Sequence, residues 1–248
     1  MALSHKGGSV RRVAALADVH GNAPALEAVL AEVELAAPDL VVFCGDLTWG
    51  SLPQETLAHI RSLDIPTRFV RGNADRSVVE MDDSLRGQWM TSMHTTEDRA
   101  FLASFEPTVL VDVEGLGTTC FCHGSPRSDE ECVTERTPAE RVREFMAGVA
   151  ASVVLTAHVH VSYERAIGGV RLVGPGSVGL PYELGAGARW ALLGPDVELR
   201  RTDYDVEAAV ALMRATGDPG VEQIVQLMLE PPSRENVIEH AEAHVYAG

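Results

Sequence analysis

Long hydrophobic runs are what this 248-residue sequence most plainly lacks. Its apolar stretches are short, and the run from Val13 to Ala17 is stopped by Asp18. A bilayer-spanning helix needs about 20 apolar residues and a secretory leader a sustained apolar segment, so neither is expected and a cytoplasmic location is. No Gly/Ser/Pro-rich linker, low-complexity tract or internal repeat occurs, which argues against a string of modules. Cysteine is scarce. Cys44, Cys120, Cys122 and Cys132 lack zinc-finger spacing and read as reduced core thiols rather than a disulfide framework. Positive charge is also short, with 20 Lys and Arg against 36 Asp and Glu and a formal net charge of -16. Phosphate backbones are held mainly by Lys and Arg, so long nucleic acid is not an expected partner. A small phosphorylated ligand is still compatible with this balance where bound metal ions supply the local positive charge.

What is present is ample apolar material, 46% of the residues, enough for a sizeable core. A single domain over 1–248 is expected. Apolar runs at Val13 to Leu16, Asp39 to Cys44 and Thr67 to Val70 read as buried strands. Helices opened by Pro24 and Pro53 separate them, the first with Leu26, Val29, Leu30 and Val33 as its stripe. This strand–loop–helix rhythm implies neighbouring parallel strands with their loops on one edge. The stretch 76–107 is the least readable and is taken as a variable cap, with a short helix over Thr96 to Phe105. A β-rich half follows. Thr108 to Val113 and Thr118 to Cys122 form a hairpin, Ser152 to Thr156 a strand, and two strands flank Gly168-Gly169. Trp190 to Leu193 and Val197 to Arg201 are its last strands, and residues 205–248 form a helical extension read as packing material.

Chemistry collects where these strands end. Asp18, His20, Asp46, Asn73, His123, His158 and His160 each stand just past a predicted strand, where open α/β sheets place their ligands. Asp-x-His alone is a weak signal. The whole set is too large for one cation, and a carboxylate such as Asp46 can bridge two. Paired divalent cations about 3.5–4 Å apart suit phosphoryl-ester hydrolysis. Nitrogen and oxygen donors of this kind take Mn, Fe, Ni or Zn.

In order, the blocks read Asp18-Val19-His20, Gly45-Asp46, Gly72-Asn73-Ala74-Asp75, His123-Gly124 and Ala157-His158-Val159-His160. This order resembles the calcineurin-like metallophosphoesterase superfamily, and Gly174-Pro175-Gly176-Ser177-Val178-Gly179 resembles the block that follows in its compact prokaryotic, YfcE-like branch. The resemblance covers about residues 11 to 204 and implies an α+β fold: a four-layer α/β/β/α sandwich of two mixed sheets flanked by helices. It implies one metal on Asp18, His20, Asp46 and His160, and another on Asp46, Asn73, His123 and His158. Asp46, Asn73 and His123 would take the catalytic roles. The implied activity is a dinuclear phosphodiesterase, manganese foremost, hydrolysing a small phosphate diester through a metal-bridging hydroxide. Alternatives are a nucleotidase, a nucleoside-polyphosphate hydrolase, a protein phosphatase, or a non-catalytic scaffold; the complete ligand set argues against the last.

Three departures stand out, of which Ala157, in place of the usual glycine before His158, is expected to affect only local backbone freedom. Ala74 occupies the place where many members carry the His that protonates the leaving group, and alanine has no proton to give. His94 in the variable stretch is a substitute donor to be tested, with Asp75 available to orient an imidazole placed at 74. Leu180-Pro181-Tyr182-Glu183 stands where branch members often place an arginine near the phosphate, and Tyr182 is read as either structural or pocket-lining.

Overall fold

The structure is a computed structural model that describes residues 9–183, 185 and 187–244. Two five-stranded sheets form its centre. The first has the order β10-β9-β1-β2-β3, built from β1 (Val13–Leu16), β2 (Leu40–Phe43), β3 (Thr67–Phe69), β9 (Ala188–Leu193) and β10 (Val197–Thr202). The second has the order β4-β5-β6-β8-β7, built from β4 (Thr108–Val113), β5 (Gly117–Cys122), β6 (Val153–Thr156), β7 (Ser162–Ile167) and β8 (Val170–Pro175). β1, β2 and β3 pair in parallel, as do β5, β6 and β8, whereas β9, β10, β4 and β7 run antiparallel to their neighbours. Both sheets are therefore mixed, as expected.

The two-residue period of a strand explains the layering. Val13 and Ala15 of β1 and Val42 of β2 face Val109, Phe121, Leu155 and Val173 of the other sheet and form the dry interior. Ala14, Leu16, Val41 and Phe43 point the opposite way, onto Leu26, Val29 and Val33 of α1 (Ala23–Ala36). On the far side Cys120, Val154 and Leu172 are covered by Val142 and Phe145 of α6 (Ala139–Phe145) and by Ala241 of α9 (Arg234–Ala243). Every β1 residue is fully buried, so this central strand lacks the alternation of a half-exposed sheet.

α2 (Pro53–Arg61) returns the chain between β2 and β3. The stretch after β3 resolves into α3 (Asn73–Glu80), α4 (Leu85–Met93) and α5 (Thr96–Ala103). α5 opens where its capping box predicts: Thr95 Oγ1 accepts the Asp98 N–H and the Asp98 carboxylate accepts the Thr95 N–H at 2.8 Å. α7 (Val206–Arg214) and α8 (Val221–Leu229) lie against the start of α1, where Met213 and Ile224 join Ala23, Leu52 and Leu180. All four cysteines are buried. Among the described residues no helix is long and apolar enough to cross a membrane.

Candidate metal centre

The carboxyl ends of the parallel strands carry the whole predicted donor set. Asp18 and His20 follow β1, Asp46 follows β2, and Asn73 opens α3 just after β3. His123 follows β5, while His158 and His160 follow β6. The structure brings them together from both sheets: His123 Nε2 lies 3.4 Å from Asp46 Oδ2, and His160 Nε2 lies 3.4 Å from Asp18 Oδ1. Although they follow strand ends, Asp18, Asp46 and His123 are almost wholly buried.

The backbone is bent to achieve this. Among the described residues, non-glycine residues with positive φ are Ala37 and Met81, which end helices, and Asp18, His20, Asp46, His158 and His160. Left-handed backbone at non-glycine residues is uncommon and concentrates where function holds it in place. Gly72 completes the cradle, since a Cβ there would sit 2.1 Å from Asp46 Oδ1. Side chains fix the same loops. Asp75, read as available to orient an introduced imidazole, is instead committed: its buried carboxylate accepts the N–H groups of Asp46, Leu47 and Gly72 at 2.9 to 3.0 Å. The Ala74 N–H donates to Asp46 Oδ1 at 2.8 Å.

Two groups of ligand atoms result, Asp18 with His20 and His160, and Asp46 with His123 and His158. Asp46 Oδ2 stands between them, 3.6 Å from His20 Nε2 as well as 3.4 Å from His123 Nε2. Asn73 Oδ1 lies 3.0 Å from His123 Nε2. Three histidines turn Nδ1 toward a backbone carbonyl: His20 to Trp49 at 3.2 Å, His123 to Cys44 at 2.8 Å and His160 to Leu180 at 2.7 Å. Donation from Nδ1 to a carbonyl leaves Nε2 as a lone pair aimed into the centre, the arrangement usual for a metal-ligating histidine. With those tautomers His20 and His160 face each other Nε2 to Nε2 at 3.1 Å, a repulsive contact unless positive charge sits beside it. Asp18 Oδ1 is buried without a hydrogen-bond donor, which is costly for a carboxylate oxygen unless a cation completes it.

The electrostatics agree with a site built around positive charge. Burial lifts the Asp18 carboxyl well above its usual range, with His123 opposing and Asp46 adding to the rise. Burial acts on Asp46 in the same direction, but the charge and hydrogen bond of His123 and the charge of His20 outweigh it and hold Asp46 low. His123 is driven the other way. Burial disfavours its protonated ring, yet Asp46 and Asp18 raise it to about 10. Burial and the His123 charge depress His158 to about 4, and burial with His20 depresses His160 well below the usual range. Without metal, then, a proton on His123 supplies the positive charge that the carboxylates require.

A cavity of about 250 Å³ opens over these groups, lined by His20, Asp46, Asn73, His158 and His160 and by Trp49, Arg86, Leu180, Tyr182, Gln223, Ile224 and Leu227. Tyr182 fills both roles considered for it: it lines the cavity and stacks on the His160 ring at 4.7 Å between centroids. His94 is placed elsewhere, buried with Nδ1 on the Met90 carbonyl and Nε2 on Thr48 Oγ1, and it does not line the cavity. The cap contributes Arg86 instead. The helical extension contributes Gln223, Ile224 and Leu227, so α8 is part of the site and not packing material alone. No local pattern marked these residues, because a helix stripe looks the same whether it faces a core or a cavity.

Paired mixed sheets with Asp, His and Asn donors at their strand ends define a metal-dependent phosphoesterase architecture. The family comparison agrees: residues 12–193 match the calcineurin-like phosphoesterase superfamily domain, and the chain belongs to that family. No curated protein matches it. Among solved structures, a metallophosphoesterase from Sphaerobacter thermophilus is 24% identical with a TM-score of 0.71, covering 89% of this chain and 99% of its own. A hypothetical protein from Pyrococcus horikoshii OT3 is 18% identical with a TM-score of 0.78, covering 90% and 99%. YfcE, a phosphoesterase from E. coli, is 20% identical with a TM-score of 0.47, covering 73% and 87%. The family match ends before β10, so α7, α8 and α9 lie beyond it.

Proposed function

We propose that this phosphoesterase is a dinuclear phosphodiesterase acting on a small phosphate diester. The observation that carries the reading is Asp46 Oδ2, which stands within 3.6 Å of an imidazole nitrogen from each ligand group. A carboxylate so placed suits a bridge between two cations. Asp18, His20 and His160 would complete one position, and Asn73, His123 and His158 the other. Two divalent cations there supply Lewis-acid polarisation of the phosphoryl oxygens and an activated water. Manganese is the foremost candidate, with Fe, Ni and Zn fitting the same donors.

The chain's own groups do the rest. The Cys44, Trp49 and Leu180 carbonyls hold three imidazoles in one tautomer and one orientation. Asp75 pins the backbone of the Asp46 loop, and the Ala74 N–H fixes Asp46 Oδ1, leaving Oδ2 to face the centre. The cavity, at about 250 Å³, falls below the size usual for drug-sized ligands and suits a compact ester rather than a polymer.

The experiment is elemental analysis of the purified protein, coupled to turnover of a panel of diesters, monoesters, cyclic nucleotides and dinucleoside polyphosphates. Two metals per chain and faster turnover of diesters than of the corresponding monoesters are expected. A monoester preference overturns the diester reading, and a single metal at full activity overturns the dinuclear one.

A further inference from the structure

Arg86 belongs to none of the strand-end blocks. It stands on α4, yet its side chain lines the cavity over the ligand groups. Among the described residues its guanidinium makes one hydrogen bond, from Nη2 to Asp218 Oδ2 at 3.0 Å, and its Nε is buried without an acceptor. Asp218 is itself immobilised. Its side chain has 0% exposure, Oδ2 also accepts the Ser51 hydroxyl at 2.8 Å, and Oδ1 accepts the Gly220 N–H at 2.8 Å. Gly220 explains how closely the two segments meet: a Cβ there would lie 2.7 Å from both Cδ and Nε of Arg86. Its φ of -101° is open to any residue, so the glycine answers a need for space and not for backbone freedom. The N-terminal end of α8 therefore packs flat on the guanidinium, and Gln223, Ile224 and Leu227 of the same helix continue the cavity wall.

A purely structural clamp does not account for this arrangement. A guanidinium carries five N–H donors, and burying Nε without an acceptor while Nη2 makes a single hydrogen bond is poor compensation. The donors left over belong to a side chain that lines a cavity next to the ligand groups, where a phosphoryl group would be bound. Planar, forked donors match two phosphoryl oxygens at once. We propose that Arg86, fixed by Asp218 and Gly220, anchors the phosphoryl group of the substrate, while α8 closes over its organic part. The proposal rests on the phosphoesterase reading above and adds a substrate class to it. The ester's organic group should be compact and mostly apolar, because Trp49, Leu180, Tyr182, Ile224 and Leu227 form the remaining wall with Gln223 as its one polar side chain.

The test uses the full-length, metal-loaded protein and inorganic phosphate as the probe, with calorimetric binding, metal content and melting temperature read for each variant. Arg86→Gln should weaken phosphate binding about 10- to 100-fold, the range for a hydrogen bond between charged groups, at unchanged metal content. Arg86→Lys should recover only part of the loss, since an ammonium cannot make the forked contact. Gly220→Ala leaves every charge in place but displaces the guanidinium, and should weaken phosphate in the same direction should Arg86→Gln prove unstable. Unchanged phosphate affinity in folded, metal-loaded Arg86→Gln or Gly220→Ala overturns the anchor and leaves Arg86 a clamp between α4 and α8. Wild-type protein that takes up no metal overturns the underlying reading instead.

Discussion

The strand-end centre and the helical wall above it are built by opposite strategies. Every candidate metal ligand lies within one or a few residues of a strand end, held by backbone contacts and by left-handed φ values at Asp18, His20, Asp46, His158 and His160. The wall is assembled from segments far apart in the chain. Arg86 comes from α4, Tyr182 from the segment after β8, and Ile224 and Leu227 from α8. Nothing in the wall resembles a motif. The contrast follows from what each part must do. A metal polyhedron tolerates little displacement, so its ligands need the rigid ends of buried strands. A wall that meets an ester's organic group needs only shape and a few polar contacts, which helix faces supply in many equivalent ways.

The comparison breaks most visibly if a ligand can be lost without consequence. Asp46→Asn keeps the oxygen that receives the Ala74 N–H, so the fold should survive. The lost anionic bridge should remove one metal per chain and cut turnover about 10³–10⁴-fold, since metal-ion charge stabilisation is worth several kcal/mol at about 1.36 kcal/mol per decade. Elemental analysis decides it: two tightly held metals in the variant would show that Asp46 is not the bridge. A loss of about 10²–10⁴-fold separates good from poor leaving groups, the usual contribution of a positioned general acid. Ala74 cannot donate, His94 is committed to Met90 and Thr48, and burial followed by the Asp18 charge pushes Tyr182 up to about 12, a poor acid. Rates across aryl and alkyl esters should therefore fall steeply as leaving-group pKa rises. A shallow dependence with chemistry rate-limiting would reveal an acid elsewhere, and loss of it in Tyr182→Phe would name that residue.

The centre and the layered fold were legible in the sequence because their signals are local. A buried strand, a terminal carboxylate and a glycine fit within a few residues, as in Phe43-Cys44-Gly45-Asp46. The antiparallel β7 edge was legible from Gly168-Gly169, which turns between β7 and β8. Arg86 was not. Its role depends on Asp218 and Gly220, and only the folded chain shows that they meet. Asp75 was misread for a related reason: its partners are backbone N–H groups, which no residue type announces.

A third prediction concerns protons at the centre alone. In the metal-free protein burial opposes the charged His123 ring, but Asp46 and Asp18 hold it at about 10, so metal must displace its proton near neutrality. Apparent affinity for the metal held by His123 should rise about tenfold per pH unit between about pH 6 and 8, one proton being released as that metal binds. The sign for folding is the reverse. A histidine raised from an unfolded value of about 6.5 stabilises the metal-free protein fully below that pH. That contribution is lost as pH rises through about 10. Competition titrations with a chelator of known pH dependence check the first statement, and metal affinity independent of pH would sink it.

The smallest effect belongs to the wall. Leu227 is half-buried, lines the cavity and packs with Ile224 and Leu180, so Leu227→Ala removes apolar surface from both the cavity and its support. A fully buried leucine would cost about 2–5 kcal/mol on truncation, and a half-buried one should cost about 1–2 kcal/mol of stability. Metal content should not change, because Leu227 belongs to neither ligand group. The kinetic consequence is confined to KM and to substrate shape. Partial loss of one apolar contact corresponds to about 1 kcal/mol, or roughly fivefold, on esters whose organic group reaches α8. Methyl esters too short to touch Leu227 should be unaffected, and the penalty should grow along an alkyl series until the chain passes the helix. A uniform loss across the series, short esters included, would mean that α8 acts on the centre itself. The division between a rigid metal cradle and an adjustable wall would then fail at the one helix on which it most depends.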